Sequence, residues 1–415
     1  MVWVEAAAAA TKAKFKSMKK QETKKCALGI NLMAAALALP GLLVVGTLPA
    51  HAESAPDKTS IGIKYLGYKD WQPGDPSAAS PADQSGKRMK ASSPSIYLLA
   101  PVGSQYSVEA SATVDSVSGA SPKYHNTLSG ASSKGYINDK RTAFDVKATR
   151  YGEAASVGVG VSYSNENDYE SKAISSDVRI NSEDKNRTYA VGLSYASDTV
   201  KPLRINNLVV DPESRRKRTA EVLLGVTQVL TPVDLAQVNL TYSAGRGYFS
   251  DPYKNFYGRD ERPDLRNQMA LLVRYNHHFE TLDASLRNTA RYYKDSFGVK
   301  GFTLSADWAQ ELKGGWTVTP NLRYTSQSAA NFYYDPPYPN GSQGSQYYSA
   351  DTRLSAFGGI TYGLKIEKEV GTSSKVDVKV EKYEQRGSWR LGGNGSTGLL
   401  PFHALFWQVG WNTKY

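Results

Sequence analysis

Residues 106–115 read YSVEASATVD, with Tyr106, Val108, Ala110, Ala112 and Val114 on one parity and Ser107, Glu109, Ser111, Thr113 and Asp115 on the other. A strand turns successive side chains to opposite faces, so this stretch predicts a strand with one apolar and one polar face. The pattern recurs. Val157, Val159, Val161 and Tyr163 alternate with Ser156, Gly158, Gly160 and Ser162. Near the end, Leu354, Ala356, Gly358, Ile360, Tyr362 and Leu364 alternate with Arg353, Ser355, Phe357, Gly359, Thr361, Gly363 and Lys365.

Extended along the chain, this reading predicts sixteen strands: 59–70, 92–102, 105–117, 141–152, 154–166, 172–182, 187–198, 217–229, 234–247, 268–280, 282–295, 299–312, 316–329, 352–369, 374–388 and 402–415. Short turns such as PVGSQ (101–105), TPVD (231–234) and KGG (313–315) alternate with long polar loops near 71–91, 118–140, 199–216, 248–266, 330–351 and 389–401. Two connections on the long-loop side, near 167–171 and 296–298, are shorter. A soluble sandwich or propeller averages about 5–6 residues per strand and has no reason to alternate long and short connections. An all-β, transmembrane, antiparallel up-and-down barrel of about sixteen strands accounts for both features.

The 415 residues carry 21% charged and 40% hydrophobic side chains, and the 27 tyrosines outnumber the 11 phenylalanines and 7 tryptophans together. That composition excludes collagenous, coiled-coil and highly charged disordered chains. Residues 1–52 hold seven lysines against Glu5 and Glu22, and so supply a large part of the formal charge of +11. From Met18 they run through a basic and then an apolar stretch to Ala50-His51-Ala52, a small-x-small cleavage site, so 1–52 is expected to be a signal peptide. Residues 1–17 read as an upstream extension from a start placed too early. Residues 53–58 form a short lead-in, and 59–415 form the barrel. The one cysteine, Cys26, precedes the apolar core of the leader, so no lipidation, disulfide or thiolate chemistry is expected in the mature chain. Sec-type export to the bacterial outer membrane follows, with periplasmic chaperones and the barrel-assembly machinery as partners during biogenesis. The last strand fits that route. Trp407, Val409, Trp411 and Tyr415 share one parity, and the chain ends on an aromatic, as a C-terminal assembly signal does.

Several segments resemble a family of proteobacterial outer-membrane proteins catalogued only as a domain of unknown function. They include IGIKYLGYKDWQPG (61–74), SPSIYLLAPVGSQYSVEAS (93–111), NLTYSAGRGYFSDPYK (239–254), YYSADTRLSAFGGITYGLKI (347–366) and EQRGSWRLGGNGSTGLLPF (384–402). The resemblance spans essentially the whole mature chain. It implies an outer-membrane barrel and carries no substrate or catalytic residue with it.

Candidate chemistry is sparse. Gly393-Asn394-Gly395-Ser396-Thr397-Gly398 matches GxGxxG, but a strand follows where a dinucleotide site needs a helix. His277 and His278 are adjacent in a strand and point apart, so they do not share a metal. His125 near Ser121 and Asp115 is the one hydrolase-like grouping, and its spacing is not diagnostic. No catalytic, cofactor-binding or metal site is assigned, and permeation needs no cofactor. Parity instead places Glu109, Asp115, Asp145, Lys147, Arg274, Asp307, Arg323, Arg353, Lys365, Asp377, Lys379 and Glu381 in the lumen, where they line a channel or brace the wall. Arg215, Arg216, Lys217 and Arg218 open a strand at its outer end and suit lipopolysaccharide phosphate, with nucleic acid disfavoured by the compartment. The segments SDPYKNFYGRD (250–260) and NFYYDPPYPNGS (331–342) either fold inward as a constriction or face outward as a binding surface. The functional expectation is porin-like passage of a small solute. The alternatives are a closed barrel that binds a partner and, less favoured, a membrane hydrolase.

Overall fold

A strand that turns one face to lipid cannot leave its edge groups unpaired there, so a sheet in a bilayer has to close on itself. The computed structural model describes residues 54–72, 87–119, 132–133, 136–166, 168–202, 213–252, 260–335 and 346–415. Its barrel strands are β1 (Ser60–Trp71), β2 (Lys87–Val102), β3 (Tyr106–Gly119), β4 (Tyr136–Tyr151), β5 (Ala155–Asn165), β6 (Tyr169–Asn181), β7 (Arg187–Val200) and β8 (Arg215–Thr231). They continue with β9 (Asp234–Gly247), β10 (Leu265–Phe279), β11 (Ala284–Asp295), β12 (Lys300–Leu312), β13 (Trp316–Gln327), β14 (Phe357–Val370), β15 (Ser374–Arg386) and β16 (Phe402–Lys414). Each strand pairs antiparallel with its chain neighbours, and β1 pairs with both β2 and β16, which closes a sixteen-stranded barrel. A two-residue ribbon, Ser132–Ser133, folds back on the start of β4.

Register fixes the two faces. At the closing seam Trp407 lies opposite Gly67, Val409 opposite Tyr65 and Trp411 opposite Ile63, all pointing outward. Gly67 is what allows Trp407 to lie flat on the wall, since a Cβ there would fall 2.0 Å from the indole. In β8 the outward Val222, Leu224 and Val226 are exposed, whereas the inward Lys217, Thr219 and Glu221 are buried. The same inversion holds for Val157, Val159 and Val161 in β5 and for Leu271, Val273 and Tyr275 in β10. A continuous exposed apolar band with a polar interior is the opposite of a soluble fold, and it makes lipid the solvent of the outer face. Sixteen strands at ordinary spacing and tilt give a backbone radius of about 16 Å, too wide for wall side chains alone to fill.

The short turns gather at one end and the long connections at the other, as the spacing predicts. The strand ends agree with expectation to within about three residues, except that β2 and β4 begin five residues earlier than predicted and β14 five later. At β14 alternation predicts a start at 352, but Asp351 accepts the Arg353 amide and caps a 3-10 turn, Thr352–Leu354, so pairing begins only at Phe357. The expected signal peptide, 1–52, lies outside the described residues.

The face assignment is testable by charge placement. Leu224→Arg, on the lipid face, is expected to cost about 2–4 kcal/mol of barrel stability. Thr113→Lys faces the lumen beside Ser111 and Asp115 and is expected to shift the urea midpoint of refolded protein little.

Candidate functional site

The inward faces of β13 to β16 carry a ladder of charges spaced by small residues. Glu381 receives Lys379 at 2.9 Å, the Asn321 amide at 2.8 Å and Arg323 at 4.0 Å. Asp377 accepts the Gln408 amide at 3.0 Å, and Lys365 meets Glu367 at 2.6 Å. Glycines opposite make the room. A Cβ at Gly410 would fall 2.3 Å from an Asp377 oxygen, and one at Gly363 would fall 2.6 Å from Glu381. These contacts, some within a strand and some between strands, tie the side chains to one another along the wall.

A second ladder runs over β3 to β6. Lys147 bonds Asp177 at 2.5 Å and lies in register with Glu109, while Gly158 leaves the space its side chain fills. Asp115 pairs with Arg141 at 2.5 Å and also accepts the Ser93 hydroxyl, and Asp145 accepts Ser111 at 3.0 Å. The wall between the two ladders is different. Arg274, Arg287 and Arg291 rise from β10 and β11, Arg323 of the first ladder stands at their edge, and Asp307 of β12 is the carboxylate set among them, in register with Arg287. Arg274 has an amide partner, Gln237 at 3.3 Å. Parity alone would have found Arg287 and Arg291, which sequence reading passed over.

The structure places eleven of the twelve expected lumen residues on the inner face. Arg353 is the correction: it sits in the 3-10 turn before β14 and serves the mouth of the barrel. The basic cluster also divides. Lys217 faces inward, wholly buried, with Asp198 at 3.1 Å and the Tyr169 hydroxyl at 2.8 Å, because alternation at β8 puts it on the lumen parity. It cannot meet lipid. Arg215 shares that parity at the rim and bonds Glu213 at 2.9 Å. Arg216 and Arg218 point outward and are exposed.

The long loops build the mouth. Gly247 at φ +120° turns the chain so that Phe249 folds back over Gly245, where a Cβ would meet its ring at 2.7 Å. Phe249, Phe297, Val299, Ala330, Phe332 and Leu354 form an apolar core, with Tyr293 of the inner wall packed against it. Arg266 stacks 4.6 Å from the Phe297 ring and binds Asp295 at 2.6 Å. Above this core a buried ion network joins the loop after β9 to the loop after β13. Arg262 bridges Asp260 at 2.7 Å and Asp351 at 2.9 Å, and Arg353 bridges Asp351 at 2.5 Å and Asp251 at 3.0 Å. Burial works against the charge of Arg262, yet Asp260 and Asp351 hold its guanidinium above the ordinary value. Burial raises the Asp260 carboxyl despite Arg262 beside it. The described parts of 250–260 and 331–342 thus fold inward as a cap over one side of the mouth. Farther round the wall, on β15, β16 and β1, Tyr68, Tyr383, Ala404 and Phe406 make a second inward apolar cluster, with Tyr68 and Phe406 rings 5.0 Å apart.

The remaining motifs have ordinary settings. His277 bonds Asp234 at 2.7 Å on the outer face and His278 bonds Ser285 at 3.1 Å on the inner one. Residues 393–398 lie in the loop before β16. That loop crosses the outer wall, where Tyr324 donates to the Trp389 carbonyl at 2.6 Å and Leu391 donates to Ser326 at 2.9 Å. His125 and Ser121 lie outside the described residues. Among the described residues no group of side chains is arranged to hold a metal ion.

Removing one partner of a buried ion pair strands the other, so Arg262→Ala is expected to cost the cap about 3 kcal/mol while the barrel wall stays intact. Limited proteolysis should then cut the 248–264 or 328–356 loop many times faster, with the heat-shifted gel mobility of the barrel unchanged.

Comparison with solved structures returns barrels of low likeness. A bacterial polysaccharide outer membrane secretin aligns at 7% identity and TM-score 0.47, over 86% of this chain and 98% of the other. OccK2 (OpdF) of Pseudomonas aeruginosa aligns at 10% identity and TM-score 0.42, over 88% of this chain and 99% of the other. CdiB of Acinetobacter baumannii aligns at 10% identity and TM-score 0.47, over 86% of this chain and 60% of the other. A comparison with curated proteins found no match. Residues 30–406 match the family described as "Protein of unknown function (DUF3570)", and the chain belongs to that family.

Proposed function

We propose that the protein is a passive channel of a bacterial outer membrane that passes small charged or polar solutes, favouring anions. The observation that carries this reading is the arginine wall, Arg274, Arg287, Arg291 and Arg323 with Asp307 among them, on the inner face of a barrel too wide for its own side chains to fill. Charges fixed along a low-dielectric wall set the field that a permeating solute feels. Most charges of the two flanking ladders have partners of opposite sign, and Arg323 reaches Glu381 only at 4.0 Å, so the arginines add positive potential along their side of the lumen. The inward cap supplies the constriction, since its apolar core and ion network give it a shape of its own. Translocation of this kind is diffusion along a polar wall and uses no cofactor or catalytic residue.

The cap also favours a second reading, a barrel closed at its mouth that binds a solute or partner from outside. Conductance in a planar bilayer, using residues 53–415 after heat-shifted mobility has shown folding, separates the two. The channel reading expects steady ohmic steps. A folded barrel that passes no current, before and after Arg262→Ala has loosened the cap, would overturn it.

Ion selectivity tests the wall. Arg274→Gln combined with Arg323→Gln is expected to lower the chloride-to-potassium permeability ratio about 2–5-fold with conductance retained. An unchanged ratio would remove the arginine wall from the conduction path.

A further inference from the structure

On the outward face, at the long-loop end, three pairs of cations stand directly opposite one another across neighbouring strands: Lys69 and Lys90 on β1 and β2, Arg218 and Arg246 on β8 and β9, Lys294 and Lys300 on β11 and β12. All six side chains are exposed. No carboxylate among the described residues pairs with any of them. Like charges opposite each other destabilise a sheet, because the Cβ atoms are only about 5 Å apart. The outward acids of this rim carry their own cations: Glu170 binds Lys172 at 2.5 Å and Lys201 at 2.7 Å, and Glu384 binds Lys382 at 2.6 Å. The other end of the barrel has a different pattern. There Arg150 faces Tyr106, Arg187 faces Gln228 and Lys368 faces Trp316. On the outward face the repulsive pairs are therefore confined to one rim; on the inner face Lys365 and Lys379 also stand opposite each other, but each has a carboxylate partner, Glu367 and Glu381.

We propose that each pair clamps a phosphate of a phosphorylated glycolipid of the outer leaflet, with the lipid A type of headgroup as the occupant. Two cationic side chains rooted on Cβ atoms about 5 Å apart can both reach one phosphate, and an arginine pair can do so with planar, bidentate geometry. Depth agrees. Tyr292 lies one pleat repeat below Lys294 on the same outward face, and Tyr65 and Tyr242 lie two repeats below Lys69 and Arg246, about 7 Å per repeat. Aromatic side chains mark the headgroup boundary of a bilayer, so the cation pairs stand at phosphate height just above it. Arg216 is also outward and exposed, one repeat beyond Arg218, and extends the arginine clamp toward the sugar. The inference rests on the outer-membrane placement proposed above, and it does not depend on whether the lumen conducts.

Native mass spectrometry of the folded protein in detergent, with added bisphosphorylated lipid A, tests it. Up to three tightly retained lipid A molecules are expected, and one fewer in each of K69Q/K90Q, R218Q/R246Q and K294Q/K300Q. R218K/R246K should restore the count, and R150Q/R187Q at the opposite end should leave it unchanged. Without lipid, each glutamine pair should melt at or above the native temperature, because a repulsion has been removed. Thermal stabilisation by lipid A should fall in the same variants, which separates lost binding from lost folding. Equal retention in all variants would overturn the inference, as would equal retention of dephosphorylated lipid A or of phosphatidylglycerol. Conductance recorded on the same preparations keeps the two readings apart, since a barrel without current contradicts the channel and leaves the lipid counts to decide the clamps.

Discussion

The structure depends on one constraint: in a bilayer, every strand N–H and C=O must find a partner within the protein. The pairing of β1 with β16 meets it by removing the last free edge, and the other features follow from that closure. Once the sheet is closed, period-two alternation becomes an inside and an outside, and the apolar parity goes to lipid. A one-residue slip at any seam would exchange the two faces along a whole strand, so the register of Trp407 on Gly67 matters as much as the hydrogen bonds themselves.

Closure at sixteen strands leaves an interior that wall side chains do not fill, and the molecule treats its parts differently. Over β3 to β6 and β13 to β16, charges are paired within and between strands, several of them seated against glycines. Over β10 to β13 they are chiefly guanidinium groups with few carboxylates. At the mouth, two long loops build a small core of their own and lock it with Arg262 and Arg353. Buried ion pairs of this kind contribute little net stability over apolar packing, but breaking one is costly, which makes them suited to holding a single loop arrangement.

Much of this was legible in the sequence. Alternation over long runs located every barrel strand, and the connection lengths told which end carries the large loops. Parity put Glu109, Asp377 and Glu381 on the inner face, where the structure has them, because alternation in a paired strand leaves no other choice. The sequence reading departed from the structure at Arg353 and Lys217 for two physical reasons. Near 352 the alternation continues in the sequence, but a carboxylate-capped turn interrupts the backbone, and a pattern of residues does not register such a break. At 215–218 the basic run was read by charge as a unit, whereas the strand splits it into two faces. The cap network was illegible because its members, Asp251, Asp260, Arg262, Asp351 and Arg353, are about a hundred residues apart at the extremes and meet only through the fold.

The central claim is that the polar parity lines open water and the apolar parity meets lipid. The one cysteine of the chain, Cys26, precedes residue 53, so residues 53–415 accept single reporter cysteines without interference. Thr289→Cys, facing the lumen, and the adjacent Ala290→Cys, facing outward, would be placed in proteoliposomes and treated with a charged, membrane-impermeant thiol reagent. The account predicts rapid labelling at position 289 and protection at 290, with the order reversed for a lipid-soluble maleimide. Protection of both positions from the charged reagent, or the same reactivity at the two, would contradict it.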